Sequence, residues 1–276
     1  VVAPGRAELD LSRAEDIRRV VRELRPELIV NAAAYTAVDA AESHEEEARL
    51  LNAVAPGVLA EEARKIGAGV VHYSTDYVFD GAKRTPYVET DATGPLGVYG
   101  RTKLDGEKAV AESGAAYLIL RTAWVYATQG KNFLLTILRL AAEREELRIV
   151  SDQIGAPTLA SEIAGATVNI LDIGGAALTE KCGIYHLTAS GQTSWHGFAS
   201  AIVDEARAAS KDLGWMAAAT GGRALAVKRV TAISTGEYPT PARRPAYSVL
   251  SNARLRETFG VALPDWREQL RGVFHP

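Results

Sequence analysis

Apolar and polar positions alternate along the first half of the chain in two distinct periods. Residues 13–24 carry Ile17, Val20, Val21 and Leu24 at helical spacing, and Pro26 ends that run. Ser12 with Glu15 three residues on has the form of a capping box. Leu28-Ile29-Val30 then reads as a short buried strand leading into Asn31. A long helix is expected over residues 45–66, with a kink or break at Pro56 and a stop at Gly67. Gly69-Val70-Val71-His72-Tyr73-Ser74 is the next strand, a helix begins near Tyr99, and Tyr117 to Arg121 is again a strand. A helix over residues 132–144 and a strand over residues 147–150 close the series.

Strand and helix in regular alternation imply an α/β fold with a doubly wound parallel sheet covered on both faces. Ligands of such sheets sit at the carboxyl ends of the strands, so the residues just after each strand carry the chemistry. After residue 150 the pattern loosens into Gly- and Pro-containing loops and short helices. Residues 1–150 are therefore expected to form the sheet domain, and residues 151–276 a smaller one with segments returning to the sheet. The Ala-Gly stretch from Met216 to Gly222 is expected to be a loop.

Composition narrows the classes of function. The 276 residues are 47% hydrophobic with a net charge of -3, and charges of both signs are interleaved. Neither nucleic acid nor an anionic membrane is favoured as a partner by this balance. Cys182 is the only cysteine, so no internal disulfide is possible; it is expected to be a small buried hydrophobe. No apolar run reaches the length of a membrane span, and no secretion signal precedes the fold, so a cytoplasmic location is expected. The five histidines show no metal-ligand spacing, and Glu45-Glu46-Glu47 reads as a solvated helix start.

The chemical candidates cluster after the strands. Tyr99 and Lys103 stand four residues apart and share one helix face. A nearby ammonium stabilises a phenolate, so Lys103 is expected to lower Tyr99 from its ordinary value near 10 toward the working range. By itself such a pair is equally a solvated helix face. Thr75, at the carboxyl end of its strand, could donate to a carbonyl that is becoming an alkoxide. Ser74-Thr75 reads alternatively as a turn or helix cap.

Together these segments resemble the dTDP-4-dehydrorhamnose reductase family of extended short-chain dehydrogenases. The resemblance rests on Asn31-Ala32-Ala33-Ala34-Tyr35-Thr36-Ala37-Val38-Asp39, Ser74-Thr75-Asp76-Tyr77-Val78-Phe79-Asp80-Gly81, Tyr99-Gly100-Arg101-Thr102-Lys103 and Arg121-Thr122-Ala123-Trp124-Val125-Tyr126. It continues through Asp152 to Thr158, Gly183 to Leu187, and Arg244-Pro245 with Ser248 and Leu250. It implies a Rossmann-like fold and reduction of the C4 carbonyl of dTDP-4-dehydro-L-rhamnose by NADPH or NADH. In that reading Tyr99 is the proton donor, Lys103 its tuner and ribose anchor, and Thr75 the carbonyl partner. Asp76 contacts a sugar hydroxyl and Trp124 borders the sugar, although a turn-stabilising carboxylate and an ordinary core aromatic are the plain alternatives. Ala34, Tyr35, Thr36 and Tyr73 line the dinucleotide groove, and Asp10 and Leu11 lie beside the adenine.

Related nucleotide-sugar dehydratases carry Glu where this chain has Tyr77, so the resemblance favours simple reduction over dehydration. Arg243 and Arg244 are candidates for the substrate diphosphate, with an ordinary surface pair as the plainer reading. Mg2+ at a dimer contact and a homodimer are further possibilities that the family raises, without ligands that map onto this chain. The family's Gly-x-x-Gly-x-x-Gly turn, which cradles the cofactor pyrophosphate, does not precede Asp10, where Gly5 stands alone. A strand, helix and strand are therefore expected to be missing ahead of Val1, through truncation or by nature, with weak nicotinamide binding by this chain alone. The rival expectation is a non-catalytic binding subunit on the same fold, like the regulatory subunit of methionine adenosyltransferase.

Overall fold

The computed structural model describes residues 1–172, 179–209 and 213–276. Its main sheet has four parallel strands in the order β1 (Leu28–Asn31), β2 (Gly69–Thr75), β3 (Ala116–Thr122) and β5 (Gly183–His186). The register pairs Asn31 with His72, Thr75 with Thr122 and Arg121 with His186. The polar residues that end each strand therefore lie side by side along one rim.

Side-chain alternation on β2 and β3 decides what covers each face. Val70 and Ile119 point toward helices α2 (Ala55–Ile66) and α3 (Val98–Glu112), where they meet Ala60, Ala63 and Val110. Helix α1 (Ala14–Leu24) joins this layer through Ile17 and Val21 against Val58 and Leu59. Val71, Leu118 and Leu120 face the other way, onto Ile163 and Ile170 of α5 (Ala160–Asp172) and onto Leu255 and Phe259 of α8 (Ala253–Phe259). A sheet apolar on both faces must be buried on both, which is the doubly wound arrangement expected.

The second core is divided from the first differently from the boundary expected at residue 150. Helix α4 (Phe133–Glu143) buries Leu134, Ile137 and Leu138 with Phe198 and Ile202 of α6 (Trp195–Ala208) and Trp266 and Leu270 of α9 (Trp266–Phe274). Strand β4 (Glu146–Val150) pairs in parallel with β6 (Arg229–Ile233) instead of joining the main sheet. Segments on both sides of residue 150 thus share one core, while β5 returns to the main sheet from residue 183.

Four local expectations are corrected. Ser12 does not cap α1; its N–H and hydroxyl both donate to Asp10 Oδ1, at 3.0 and 2.7 Å, and the cap position falls to Arg13 without a side-chain bond. The stretch from Met216 is helical, within α7 (Gly214–Thr220), because its alanines favour a helix and Gly221 supplies the left-handed end at φ 63°. Cys182 is exposed, its sulfur accepting the Tyr117 N–H at 3.3 Å. Pro56 produces no break: a π-helical turn over Leu50–Val54 joins Glu45–Arg49 to α2, placing the missing N–H in its first turn.

Candidate functional site

Strand β2 ends at Thr75, which caps a tight 3-10 turn at Asp76–Val78 by accepting the Tyr77 N–H at 3.2 Å. The Thr75 hydroxyl donates to Asp76 Oδ1 at 3.0 Å. Helix α3 delivers Tyr99 to the same place, where its phenol meets the Thr75 hydroxyl. Two glycines permit this approach. A Cβ on Gly100 would stand 2.3 Å from the Tyr77 carbonyl oxygen, and one on Gly106 would stand 2.0 Å from that of Asn52. Helix α3 therefore lies against backbone at both points.

Burial pushes the Tyr99 phenol up to about 12, with Asp76 adding to the rise and Thr75 opposing it. Lys103 does not lower it, contrary to expectation. The ammonium is turned inward, 2% exposed, and donates to the Tyr73 carbonyl at 2.6 Å. Burial lowers Lys103 to about 8, opposed by Glu107 one turn along the helix. The helical spacing put both side chains on one face, but burial drew Lys103 to the strand's carbonyl.

Asp76 is 1% exposed and is raised to about 7, chiefly by burial, with Ser248 and Thr75 opposing. Its Oδ2 has no partner, a costly condition for a buried polar atom and one that a ligand hydroxyl would relieve. Tyr77 meets Tyr99 edge to face, ring centroids 5.6 Å apart. Burial raises the Tyr77 phenol further.

Trp124 lies in the left-handed region at φ 47° and stacks on Trp195 with centroids 3.5 Å apart and planes within 5°. Gly155 makes room for the indole, since a Cβ there would stand 2.4 Å from Trp124 Cε2. The stack and the glycine thus hold Trp124 in this strained backbone conformation. Trp195 was not singled out from the sequence. In the structure Ser194, just before it, caps the helix by accepting the Gly197 N–H at 3.0 Å.

Other candidates fall in different places. Tyr35 packs with Tyr99 against Val98, and its N–H and C=O are held by Asn52 at 2.8 and 3.1 Å. Asn52 also donates to Thr102 at 3.1 Å, tying the loop after β1 to α3. Ala34 is half-buried and Thr36 exposed on that loop. The Tyr73 phenol turns to the opposite face and pairs with Thr167 at 2.7 Å, so its carbonyl is the part that meets Lys103. Leu11 packs beside Ile17 and Val21, and Asp10 closes its turn on Ser12.

Arg244 is not free for a diphosphate. It forms a fork on Asp39 at 3.0 and 2.7 Å, and also reaches Thr240 at 2.6 Å and the Tyr77 phenol. Arg243 remains exposed. Cavities of 670 and 420 Å³ open elsewhere and are lined by none of Thr75, Tyr99 or Lys103. Among the described residues no group of three or more His, Cys, Asp or Glu could hold a metal ion, and no helix is long and apolar enough to cross a membrane.

The model of the RmlD substrate binding domain matches residues 1–276. A dTDP-4-dehydrorhamnose reductase of Burkholderia thailandensis is 53% identical over 273 residues, 97% of this chain and 87% of the relative. Among solved structures, a dTDP-4-dehydrorhamnose reductase from Clostridium acetobutylicum superposes with a TM-score of 0.88 at 34% identity, covering 100% of this chain and 89% of that one. One from Bacillus anthracis in complex with NADP gives a TM-score of 0.86 at 34% identity over 99% and 88% of the two chains. The chain therefore belongs to the dTDP-4-dehydrorhamnose reductase family.

Proposed function

We propose that this protein reduces the C4 carbonyl of dTDP-4-dehydro-L-rhamnose, with NADPH or NADH as reductant. The observation that carries the reading is the convergence of Thr75 and Tyr99 at the carboxyl end of β2. Two hydroxyls brought together at a strand end suit a carbonyl oxygen that gains negative charge as hydride arrives. Tyr99, raised to about 12, is fully protonated at neutral pH and is a weaker base than an alkoxide once deprotonated. It acts as the acid that delivers the proton, while the Thr75 hydroxyl turns from Asp76 Oδ1 to donate to the same oxygen. Asp76 offers its unpartnered Oδ2 to a sugar hydroxyl, and Trp124 borders the ring.

The dinucleotide would lie along the rim formed by the strand ends. Ala32 and Ala33 are exposed just past β1, where nothing larger than a methyl group stands over the backbone, and this suits a close-lying cofactor. Ala34, Tyr35 and Thr36 would line the groove, Asp10 and Leu11 would meet its adenine end, and Lys103 its ribose. When bound, the nicotinamide supplies the hydride. The relatives give the regulatory-subunit rival no support.

Replacing Tyr99 by Phe tests the assignment, followed by NADPH absorbance with the keto-sugar nucleotide. General acids contribute about 100-fold or more, so turnover should fall at least that far while substrate KM changes little. Turnover within about tenfold of the parent would remove Tyr99 from its role.

A further inference from the structure

His72, on β2, is fully buried and has no part in the proton transfer just described. Its Nδ1 lies 3.1 Å from Asn31 Nδ2, and its Nε2 lies 3.5 Å from Lys103 Nζ. The Asn31 amide is oriented by its other end, since Oδ1 accepts the Ala33 N–H at 3.2 Å. A backbone N–H can only donate, so Nδ2 is the group presented to the ring. Asn31 therefore donates to Nδ1, and the single proton of a neutral imidazole must sit on Nε2. That N–H points at Lys103.

Two donors facing each other should stay apart, and the distances agree. Lys103 Nζ keeps 3.5 Å from His72 but closes to 2.6 Å on the Tyr73 carbonyl. Burial, with Lys103 alongside, holds the ring neutral. The other charged or titratable groups around Lys103 come from α3: Glu107, itself paired with Arg121 of β3, and Tyr99 one turn before. Asn31 of β1 contributes no charge, so His72 is the titratable group of β2 that stands beside the ammonium.

We propose that His72 is a positioning residue for Lys103: locked by Asn31 as the Nε2–H tautomer, it presses the ammonium onto the Tyr73 carbonyl and favours the neutral amine, whose lone pair can accept that N–H. The inference rests on Lys103 acting in the reaction, and its test separates the two. Long-range 15N NMR of the parent protein should find His72 as the Nε2–H tautomer; an Nδ1–H ring would overturn the proposal without any variant. The Lys103 side-chain titration is then followed by 13C NMR, assigned with Lys103→Met. In His72→Phe, which lacks the opposing donor, it should move up by about half to one pH unit. No movement, or movement downward, overturns the proposal. The alkaline limb of kcat/KM should move up in step. If the NMR titration moves while the limb stays, the hold of His72 on Lys103 stands and the role given to Lys103 in the reaction fails.

Discussion

Glu107 links the three elements that build the site, and removing its charge should cost more than any surface change. It accepts from the Ser74 hydroxyl of β2 at 2.5 Å and from Arg121 of β3 at 2.9 and 2.7 Å, while standing on α3 one turn after Lys103. The side chains of Glu107 and Arg121 are 2% and 3% exposed. Glu107→Gln keeps the shape and an acceptor for Ser74 but leaves a buried guanidinium without its counter-charge. One Arg121 nitrogen, Nη1, already lacks a partner, and the Phe79 ring at 5.1 Å gives only weak compensation. Breaking such a pair from one side costs about 3–5 kcal/mol. For a chain of this size that lowers the melting temperature by roughly 10 °C. Replacing both partners, as Glu107→Leu with Arg121→Met, should recover most of the loss, because no charge is then stranded. Lys103 supplies a second readout. Glu107 opposes the lowering of its ammonium, so Glu107→Gln should carry the Lys103 titration below about 8, opposite to His72→Phe. Urea unfolding of the two variants gives the energies. A Glu107→Gln protein within about 1 kcal/mol of the parent would refute the reasoning.

Three other outcomes are expected. Gly106→Ala drives a methyl into the Asn52 carbonyl, so α3 must retreat from the π-helical turn, at a cost of about 1–3 kcal/mol visible in thermal unfolding. Gly155→Ala must displace the Trp124 indole from Trp195, so the near-ultraviolet circular dichroism of the stacked pair should weaken and substrate KM rise; an unchanged spectrum would dissociate Gly155 from the stack. His186 is lowered from 6.5 to about 3, mainly by burial and by Arg121. Between those values the unfolded chain binds a proton that the native one refuses, so stability present above 6.5 is lost as pH falls toward 3. From pH 7 to 5 the parent should lose about 2 kcal/mol more than His186→Asn in urea unfolding; equal losses would place the titration elsewhere.

Much of the fold is written in short-range pattern. The runs Gly69 to Thr75 and Ala116 to Thr122 are strands because apolar β-branched and aliphatic residues fill both faces, and that demands cover on both sides. Leu28 to Asn31 is a strand as well, but the burial expected of it is not found, since Val30 is 47% exposed at the sheet edge. Thr75 ends its strand and Tyr99 lies in the first turn of its helix as expected, because the local sequence sets where those elements end and begin. Where short-range pattern failed, a neighbour's geometry decided. Ser12 found Asp10 before it found a helix to cap, and Pro56 met a π-helical turn instead of a break.

What only the tertiary structure decided is the state of the side chains in the site. Helical spacing put Tyr99 and Lys103 on one face, but the Tyr73 carbonyl and the His72 ring, thirty residues away in the chain, determined where the ammonium rests. The partner of Trp124 is Trp195, and the partner of Arg244 is Asp39, over two hundred positions earlier. Residue type and spacing along a chain specify periodicity, and periodicity specifies strands, helices and the rim on which chemistry gathers. Protonation depends on burial and on partners brought together from distant segments, and these exist only once the sheet and its two layers have closed around them.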